Sequence, residues 1–77
     1  MQNVDSGFDL TIIVPVYNEE GNLDRLHGEL LKFINDSPKK TRVLFINDGS
    51  RDGSLKKIKA ICKDSESFTY CSFDRNY

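Results

Sequence analysis

The sequence predicts an α/β fold, a three-stranded parallel sheet with two helices. Two short runs rich in Ile, Val and Phe each lead into a segment whose apolar residues recur at helical spacing, and a third run follows. Strands that alternate with helices form parallel sheets, and their crossovers are right-handed. Two such crossovers that step in one direction give the strand order 3-2-1 and place both helices on one face. With 77 residues, the chain makes one small domain at most.

The first strand is predicted at Thr11–Val16, after a flexible leader over residues 1–9. Its β-branched residues form an almost uninterrupted run, which is typical of a strand buried on both faces. Pro15 has no backbone N–H and therefore favours the end of a strand over its middle.

The first helix is predicted to begin at Asn22, where the apolar period changes. Asn18 or Asn22 is expected to cap it, since asparagine side chains accept backbone N–H bonds at helix starts. Pro38 disfavours helical backbone at the residue before it, so the helix ends within residues 35–38. The apolar positions of this helix are Leu23, Leu26, Leu30, Leu31 and Ile34.

The second half of the chain repeats this order. A strand at Arg42–Asn47 leads into the loop Asp48–Gly53, which is dense in the turn formers Gly, Asp and Ser. A helix at Ser54–Lys63 follows, and Phe68–Phe73 alternates well enough to form the third strand. Asp52 is expected to be an N-cap or turn residue for the second helix. Two loop glycines are expected to adopt positive φ angles, Gly49 and Gly53.

Composition narrows the class of function. Lys and Arg number 11 and Asp and Glu number 12, which gives a formal charge of −1. This balance gives no sign of nucleic-acid binding, which depends on a basic patch. No run approaches the roughly 20 apolar residues that span a bilayer, and the polar N-terminus is unlike a signal peptide. We therefore expect a cytoplasmic protein. Cys62 and Cys71 lack metal-ligand spacing and are expected to be reduced and half-buried.

The first two strands both lead into polar loops that carry carboxylates. Tyr17 and Glu19 follow the first strand, and Asp48 follows the second. In an open parallel sheet neighbouring strands end at one edge, and ligands bind in the crevice outside those ends. The pattern therefore predicts a binding site with these three side chains around one mouth.

Each of these residues also has a purely structural interpretation. Tyr17 could stack on a flat heterocycle or prop its own loop. Asp48 could accept hydrogen bonds from a base N–H or ribose hydroxyls, or from the turn N–H groups of Ser50 or Arg51. Glu19 lies near a helix N-terminus, where the dipole favours acidic residues whatever the function. Local sequence leaves both interpretations open.

Other common sites have no sequence signal. No G-x-G-x-x-G follows the first strand, and no G-x-x-x-x-G-K-[ST] is present, so dinucleotide and P-loop sites are disfavoured. His27 is the only histidine and has no Ser or Cys nearby in sequence. It is expected at the surface or at the boundary of the core.

The motifs at the two strand ends resemble the opening of family 2 glycosyltransferases of the GT-A fold. Two segments carry the resemblance, Ile13–Glu20 (IVPVYNEE) and Ile46–Ser54 (INDGSRDGS). A third, Phe73–Tyr77 (FDRNY), is similar to the S-R-N-F-G stretch of dolichyl- and polyprenyl-phosphate sugar transferases. The resemblance implies that residues 10–77 form a partial nucleotide-sugar-binding domain, the N-terminal half of a GT-A (Rossmann-like) domain.

The resemblance also implies roles for five residues in binding the nucleotide part of a UDP- or GDP-sugar. Pro15 and Tyr17 would line the pocket, with Tyr17 against the base. Glu19 would lie at the rim of the pocket, and Asp48 would bond the base or the ribose. Arg75 would approach the base or the phosphates from the end of the third strand.

Catalysis, by the same resemblance, needs more than this chain. Mg²⁺ or Mn²⁺ is expected in the full-length enzyme, on a D-x-D motif that would lie beyond Tyr77 together with the acceptor site and general base. We therefore expect no catalytic residue and no bound metal in these 77 residues, which would be inactive alone. Asn47 departs from the first aspartate of the family's D-D-G-S pattern, which leaves one negative charge fewer.

Two other classes of function fit parts of the pattern. A receiver-like signalling module would use Glu19, Glu20 and Asp48 as an acidic pocket and Asp74 as its phosphorylated residue. A non-enzymatic module would self-associate, as a homodimer, through the sheet face that the helices leave bare, because soluble monomers avoid large apolar patches. A longer protein that covers this face is the favoured explanation. In that protein we expect a lipid-phosphate or saccharide acceptor and association with a membrane.

Overall fold

The computed structural model describes residues 7–73 and confirms the predicted α/β fold in them. The five elements are β1 (Leu10–Val16), α1 (Glu20–Asp36), β2 (Thr41–Asp48), α2 (Ser54–Cys62) and β3 (Phe68–Phe73). The division of the chain into a leader and a domain at residue 10 stays a prediction.

The three strands are parallel and lie in the order β1-β2-β3, which is the predicted order read from the other side. Val16 pairs with Asn47, and Asp48 pairs with Phe73. The carboxyl ends of all three strands therefore lie side by side. Residues 16, 48 and 73, which end the strands there, define the carboxyl edge of the sheet.

Both helices pack on one face of the sheet. Successive residues of a strand point to opposite faces, and in β2 it is Val43 and Phe45 that turn to the helices and are fully buried. The Phe45 ring stacks on Phe68 of β3, with centroids 6.0 Å apart. His27 meets Phe68 edge-on at 5.0 Å, which confirms its predicted place at the core boundary. The buried apolar residues are Val16, Leu23, Val43, Phe45, Ile58 and Phe68.

The helices form because each presents one apolar stripe to this core and a charged face to solvent. Leu23 is the fully buried residue of α1, and Ile58 is its apolar counterpart in α2. Between the charged faces, Lys57 Nζ lies 2.8 Å from Asp24 Oδ2 and joins the two helices. No helix in the described part of the chain is both long and apolar enough to span a bilayer.

The opposite face of the sheet is not covered by the described residues. Ile13 of β1 is 63% exposed and Phe73 of β3 is 52% exposed, although both side chains are large and apolar. Leu44 and Ile46 of β2 alternate with the buried residues of that strand and are only half-buried. The expectation that β1 is buried on both faces is therefore wrong for this chain, whereas the expected bare face is present.

Three local expectations are corrected by the structure. α1 begins at Glu20 instead of Asn22, and its N-cap residue makes no side-chain capping bond. Gly49 has the predicted positive φ of 71°, but Gly53 has an ordinary φ of −81°. Both cysteines are free, as expected, but Cys71 is exposed on β3 instead of half-buried.

Truncation of Phe45 tests the position of the core. Phe45→Ala should lower the free energy of unfolding by about 3–5 kcal/mol, because it removes a fully buried ring and leaves a cavity. Phe33→Ala makes the same chemical change at a residue that is 49% exposed, and it should cost about 1 kcal/mol or less. Urea unfolding of both variants measures the difference. Equal losses would contradict the assignment of the core.

Candidate functional site

The parallel register brings the main predicted site residues to one edge. Because Val16 pairs with Asn47, the next residue, Tyr17, follows β1 beside the position where Asp48 ends β2. By strand alternation Pro15 and Asp48 point to the uncovered face, away from the helices. Pro15, Tyr17 and Asp48 are all exposed. The geometric part of the prediction, a shared carboxyl edge, is therefore confirmed, while the binding roles of these residues stay predictions.

Tyr17 has the exposure that a stacking residue needs. Half of its surface, 50%, is open to solvent, whereas the residue before it, Val16, is buried in the core at 2%. The burial of Val16 thus fixes the backbone beside Tyr17, and the Tyr17 ring is exposed at the carboxyl edge. A ring held in this way can receive a flat heterocycle at little cost in side-chain entropy, since Tyr has few rotatable bonds.

The loops that follow β1 and β2 are joined by hydrogen bonds that the sequence did not predict. Three consecutive backbone N–H groups at the start of α1 donate to side chains of the other loop. These bonds are Asn18 N to Ser50 Oγ (3.0 Å), Glu19 N to Ser54 Oγ (2.8 Å) and Glu20 N to Asp52 Oδ2 (3.2 Å). The N–H groups at this helix end, which lack intrahelical partners, are thus satisfied by residues more than 30 positions away.

The second loop receives two bonds in return. The backbone N–H of Arg51 donates to Asn18 Oδ1 at 2.8 Å, and that of Gly53 donates to Glu20 Oε1 at 2.9 Å. We name the five bonds between residues 18–20 and residues 50–54 the inter-loop bridge. Asn18 is one of the two residues expected to cap α1, but its side chain binds the other loop instead.

Asp52 takes part in the inter-loop bridge and also supports α2. One carboxylate oxygen accepts from Glu20 N, and the other accepts from Ser54 N at 2.9 Å, at the start of α2. A hydrogen bond with the Ser54 side chain is the main cause that lowers the pKa of Asp52 below its ordinary 3.8. The N-cap residue of α2 is Gly53, so Asp52 has the predicted turn role and not the N-cap role, with a second partner that the sequence did not indicate.

The close approach of the Glu20 side chain, and not the backbone conformation, accounts for the glycine at position 53. A Cβ atom at this position would lie 2.5 Å from Glu20 Oε2 and 2.7 Å from its Cδ. The absence of a side chain at Gly53 lets the Glu20 carboxylate reach the backbone N–H. Glycine is thus needed here for space, since its φ of −81° is open to any residue.

Two further positions lie behind the edge. Glu19 is exposed and its Oε1 accepts from Asn22 Nδ2 at 3.1 Å, so its carboxylate lies at the start of α1, and its role at the rim of a pocket stays a prediction. Asn47 is 2% exposed and its Nδ2 donates to Ser72 Oγ at 3.0 Å. Its Oδ1 is buried and has no hydrogen-bond partner among the described residues. A carboxylate here, as in the family pattern, would bury a charge beneath the two loops.

Within residues 7–73 no group of three His, Cys, Asp or Glu side chains could hold a metal ion. The described residues therefore do not fit a metal centre of their own. Arg75, the fifth predicted binding residue, lies outside the described residues, and so does Asp74 of the signalling alternative.

Comparison with known proteins places the chain in a family. The family model for glycosyl transferase family 2 matches residues 11–77, which is nearly the whole chain. The chain belongs to glycosyl transferase family 2. The resemblance read from the two loop motifs is thereby confirmed, and with it the assignment to a transferase family.

Relatives of this family 2 chain include proteins that are named as transferases. It is 35% identical over 77 residues to an undecaprenyl-phosphate 4-deoxy-4-formamido-L-arabinose transferase of Shewanella sediminis, which covers 99% of this chain and 22% of the relative. It is 31% identical over 68 residues to a bactoprenol glucosyl transferase of Shigella phage SfX, which covers 88% of the chain and 22% of the relative.

A third relative of the family 2 chain is the candidate glycosyltransferase CsbB of Bacillus subtilis (strain 168). The identity is 37% over 68 residues, which covers 88% of the chain and 21% of the relative. The chain thus spans about a fifth of the length of these three proteins.

Lowering the pH tests the role of Asp52. Because its folded-state pKa lies below the unfolded value of 3.8, its carboxylate stabilises the fold above that value, and this contribution is lost as the pH falls through the folded pKa. Wild type should therefore melt at a higher temperature than Asp52→Asn at neutral pH, and the two curves should converge below pH 3.8. Asp64→Asn, a matched change in an exposed turn, should not reproduce this convergence. A constant Asp52→Asn difference down to the lowest pH would contradict the assignment.

A double-mutant cycle tests the contact between Gly53 and Glu20. Gly53→Ala should displace the Glu20 carboxylate and break its bond to the loop N–H. With Glu20→Ala already present, the added methyl group meets no carboxylate and should cost less. The coupling energy from urea unfolding of the four proteins should be about 0.5–1 kcal/mol. Simple additivity would show that the two positions do not interact.

Proposed function

We propose that the carboxyl edge binds the nucleotide part of a UDP- or GDP-sugar donor. The observation that carries the proposal is the placement of Tyr17 and Asp48 at adjacent positions of one edge of a parallel sheet, in a chain of glycosyl transferase family 2. Tyr17 stacks on the base, Pro15 lines the pocket beside it, and Glu19 lies at the rim. Arg75 is proposed to approach the base or phosphates.

The chemistry of Asp48 suits the base and ribose end of the donor. An ionised carboxylate only accepts hydrogen bonds, so it matches an imide N–H or ribose hydroxyls and repels phosphate. Glu19, Glu20 and Asp52 add further negative charge to the same two loops. The diphosphate is therefore proposed to lie away from these loops, near the third strand's end or near cations that the complete protein supplies.

For the complete protein we propose sugar transfer, with inversion, to a lipid-phosphate or saccharide acceptor. The name of the Shewanella relative, which specifies undecaprenyl phosphate, supports a lipid-phosphate acceptor. Mg²⁺ or Mn²⁺ would stabilise the charge that develops on the leaving diphosphate. These 77 residues are proposed to be inactive alone, and the complete protein is proposed to be cytoplasmic and associated with a membrane.

A second candidate property is self-association through the uncovered face. The exposed Ile13 and Phe73 support it, since burying them would remove apolar surface from water. Light scattering of the 77-residue chain over a range of concentrations tests this proposal. A concentration-independent monomer would rule it out.

Nucleotide binding is tested with two substitutions in the complete natural protein. Tyr17→Ala and Asp48→Ala should each weaken the binding of UDP or GDP about tenfold, because one removes the stacking ring and the other a hydrogen-bond acceptor. Calorimetric titration with UDP, GDP and their sugars gives the affinities. If neither substitution weakens binding tenfold, the proposed site is wrong.

Matched variants control for general damage. Tyr70→Ala removes a tyrosine that is 39% exposed in the middle of β3, away from the carboxyl edge. Asp36→Ala removes an exposed aspartate at the end of α1, at the opposite edge of the sheet. Both should keep the affinity of wild type within about twofold.

A further inference from the structure

We propose that Asn18 is a positioning residue that fixes the candidate base-stacking ring relative to the carboxylate of the neighbouring strand. This inference rests on the proposed nucleotide site. Asn18 directly follows Tyr17, and its two hydrogen-bond partners, Ser50 and Arg51, lie in the loop that directly follows Asp48.

The backbone of Asn18 is the first reason. Its φ of 51° is the only positive φ of a residue other than glycine in the part of the chain that the structure describes. Most L-residues avoid this left-handed region, and asparagine tolerates it better than most. Such a conformation persists only where its surroundings hold it, and it often lies beside functional groups.

The contacts of Asn18 supply that support. Its backbone N–H donates to Ser50 Oγ at 3.0 Å, and its Oδ1 accepts from the Arg51 N–H at 2.8 Å. One residue thus makes two of the five bonds of the inter-loop bridge. If residue 18 adopted an extended backbone conformation, the backbone at Tyr17 would change direction and both bonds would break.

A positioning role differs from a stabilising role in what its loss should change. Both bonds of Asn18 are exposed to solvent, so water can replace them and their loss should alter folding little. Ligand binding is more sensitive, because a loop that is free to move must be ordered when the nucleotide arrives. Loss of Asn18 should therefore reduce affinity much more than it reduces thermal stability.

The test uses Asn18→Gly in the complete natural protein, with Asn35→Gly as the matched control. Glycine keeps the backbone N–H and access to positive φ but removes Oδ1, so the bond from the Arg51 N–H is lost and the loop is freer to move. The expected result is about tenfold weaker UDP or GDP binding, with a melting temperature within about 4 °C of wild type. Asn35 is exposed near the end of α1, at the other edge of the sheet, and its variant should bind as wild type does.

A spectroscopic signature separates positioning from general damage. Stacking on Tyr17 should shift the base protons of the nucleotide upfield in NMR spectra, and this shift should decrease in Asn18→Gly even at saturating nucleotide. Ser50→Ala, which removes the acceptor of the Asn18 N–H, should give a smaller change in the same direction. If Asn18→Gly does not fold, the Ser50→Ala variant tests the proposal in its place.

The outcomes distinguish this inference from the proposed function. If wild type binds neither nucleotide, the nucleotide site itself fails, and the inference fails with it. If wild type binds but the folded Asn18→Gly and Ser50→Ala variants keep both affinity and upfield shift, Asn18 is not a positioning residue and the nucleotide site stands.

Discussion

The inter-loop bridge is the interaction on which the geometry of the carboxyl edge depends. Parallel pairing alone brings the ends of β1 and β2 together, but it does not fix the polypeptide beyond them. Here side chains of each loop accept hydrogen bonds from backbone N–H groups of the other loop. The conformation of each loop therefore depends on the other. The buried hydroxyl of Ser54 and the carboxylate of Asp52 join this arrangement to the start of α2. The edge is thus built by two loops that form one unit.

Sequence reasoning reached most of the fold because the relevant signals are periodic. Apolar residues such as Leu23 and Ile58 mark the buried side of each helix, and strand runs such as the one around Phe45 mark the sheet. The order of strands and helices then left parallel pairing with right-handed crossovers as the favoured arrangement. The shared edge of Tyr17 and Asp48 followed from that topology without any knowledge of side-chain contacts.

The inter-loop bridge was not predicted, because the residue types that form it do not indicate which backbone N–H groups they bind. Asn, Ser and Asp bind backbone N–H groups within their own loop as readily as those of another loop, and local partners are the default expectation. Local reasoning makes Asn18 one of two possible caps of its own helix and gives Gly53 a positive φ, whereas both residues take part in contacts across more than 30 residues. The choice between UDP and GDP stays beyond sequence reasoning for a different reason, since every base has a flat face that can stack on an aromatic ring.

The reciprocity of the two loops has a consequence for engineering and for evolution. The side chains that accept hydrogen bonds from the backbone of one loop belong to the other loop. A single loop taken from a relative would therefore arrive without the acceptors for its backbone N–H groups. An exchange of these loops between family members should therefore graft residues 18–20 and 50–54 as a pair. For the same reason, residues 20 and 53 should covary among homologues, because the Glu20 carboxylate occupies the space that a Cβ at position 53 would need.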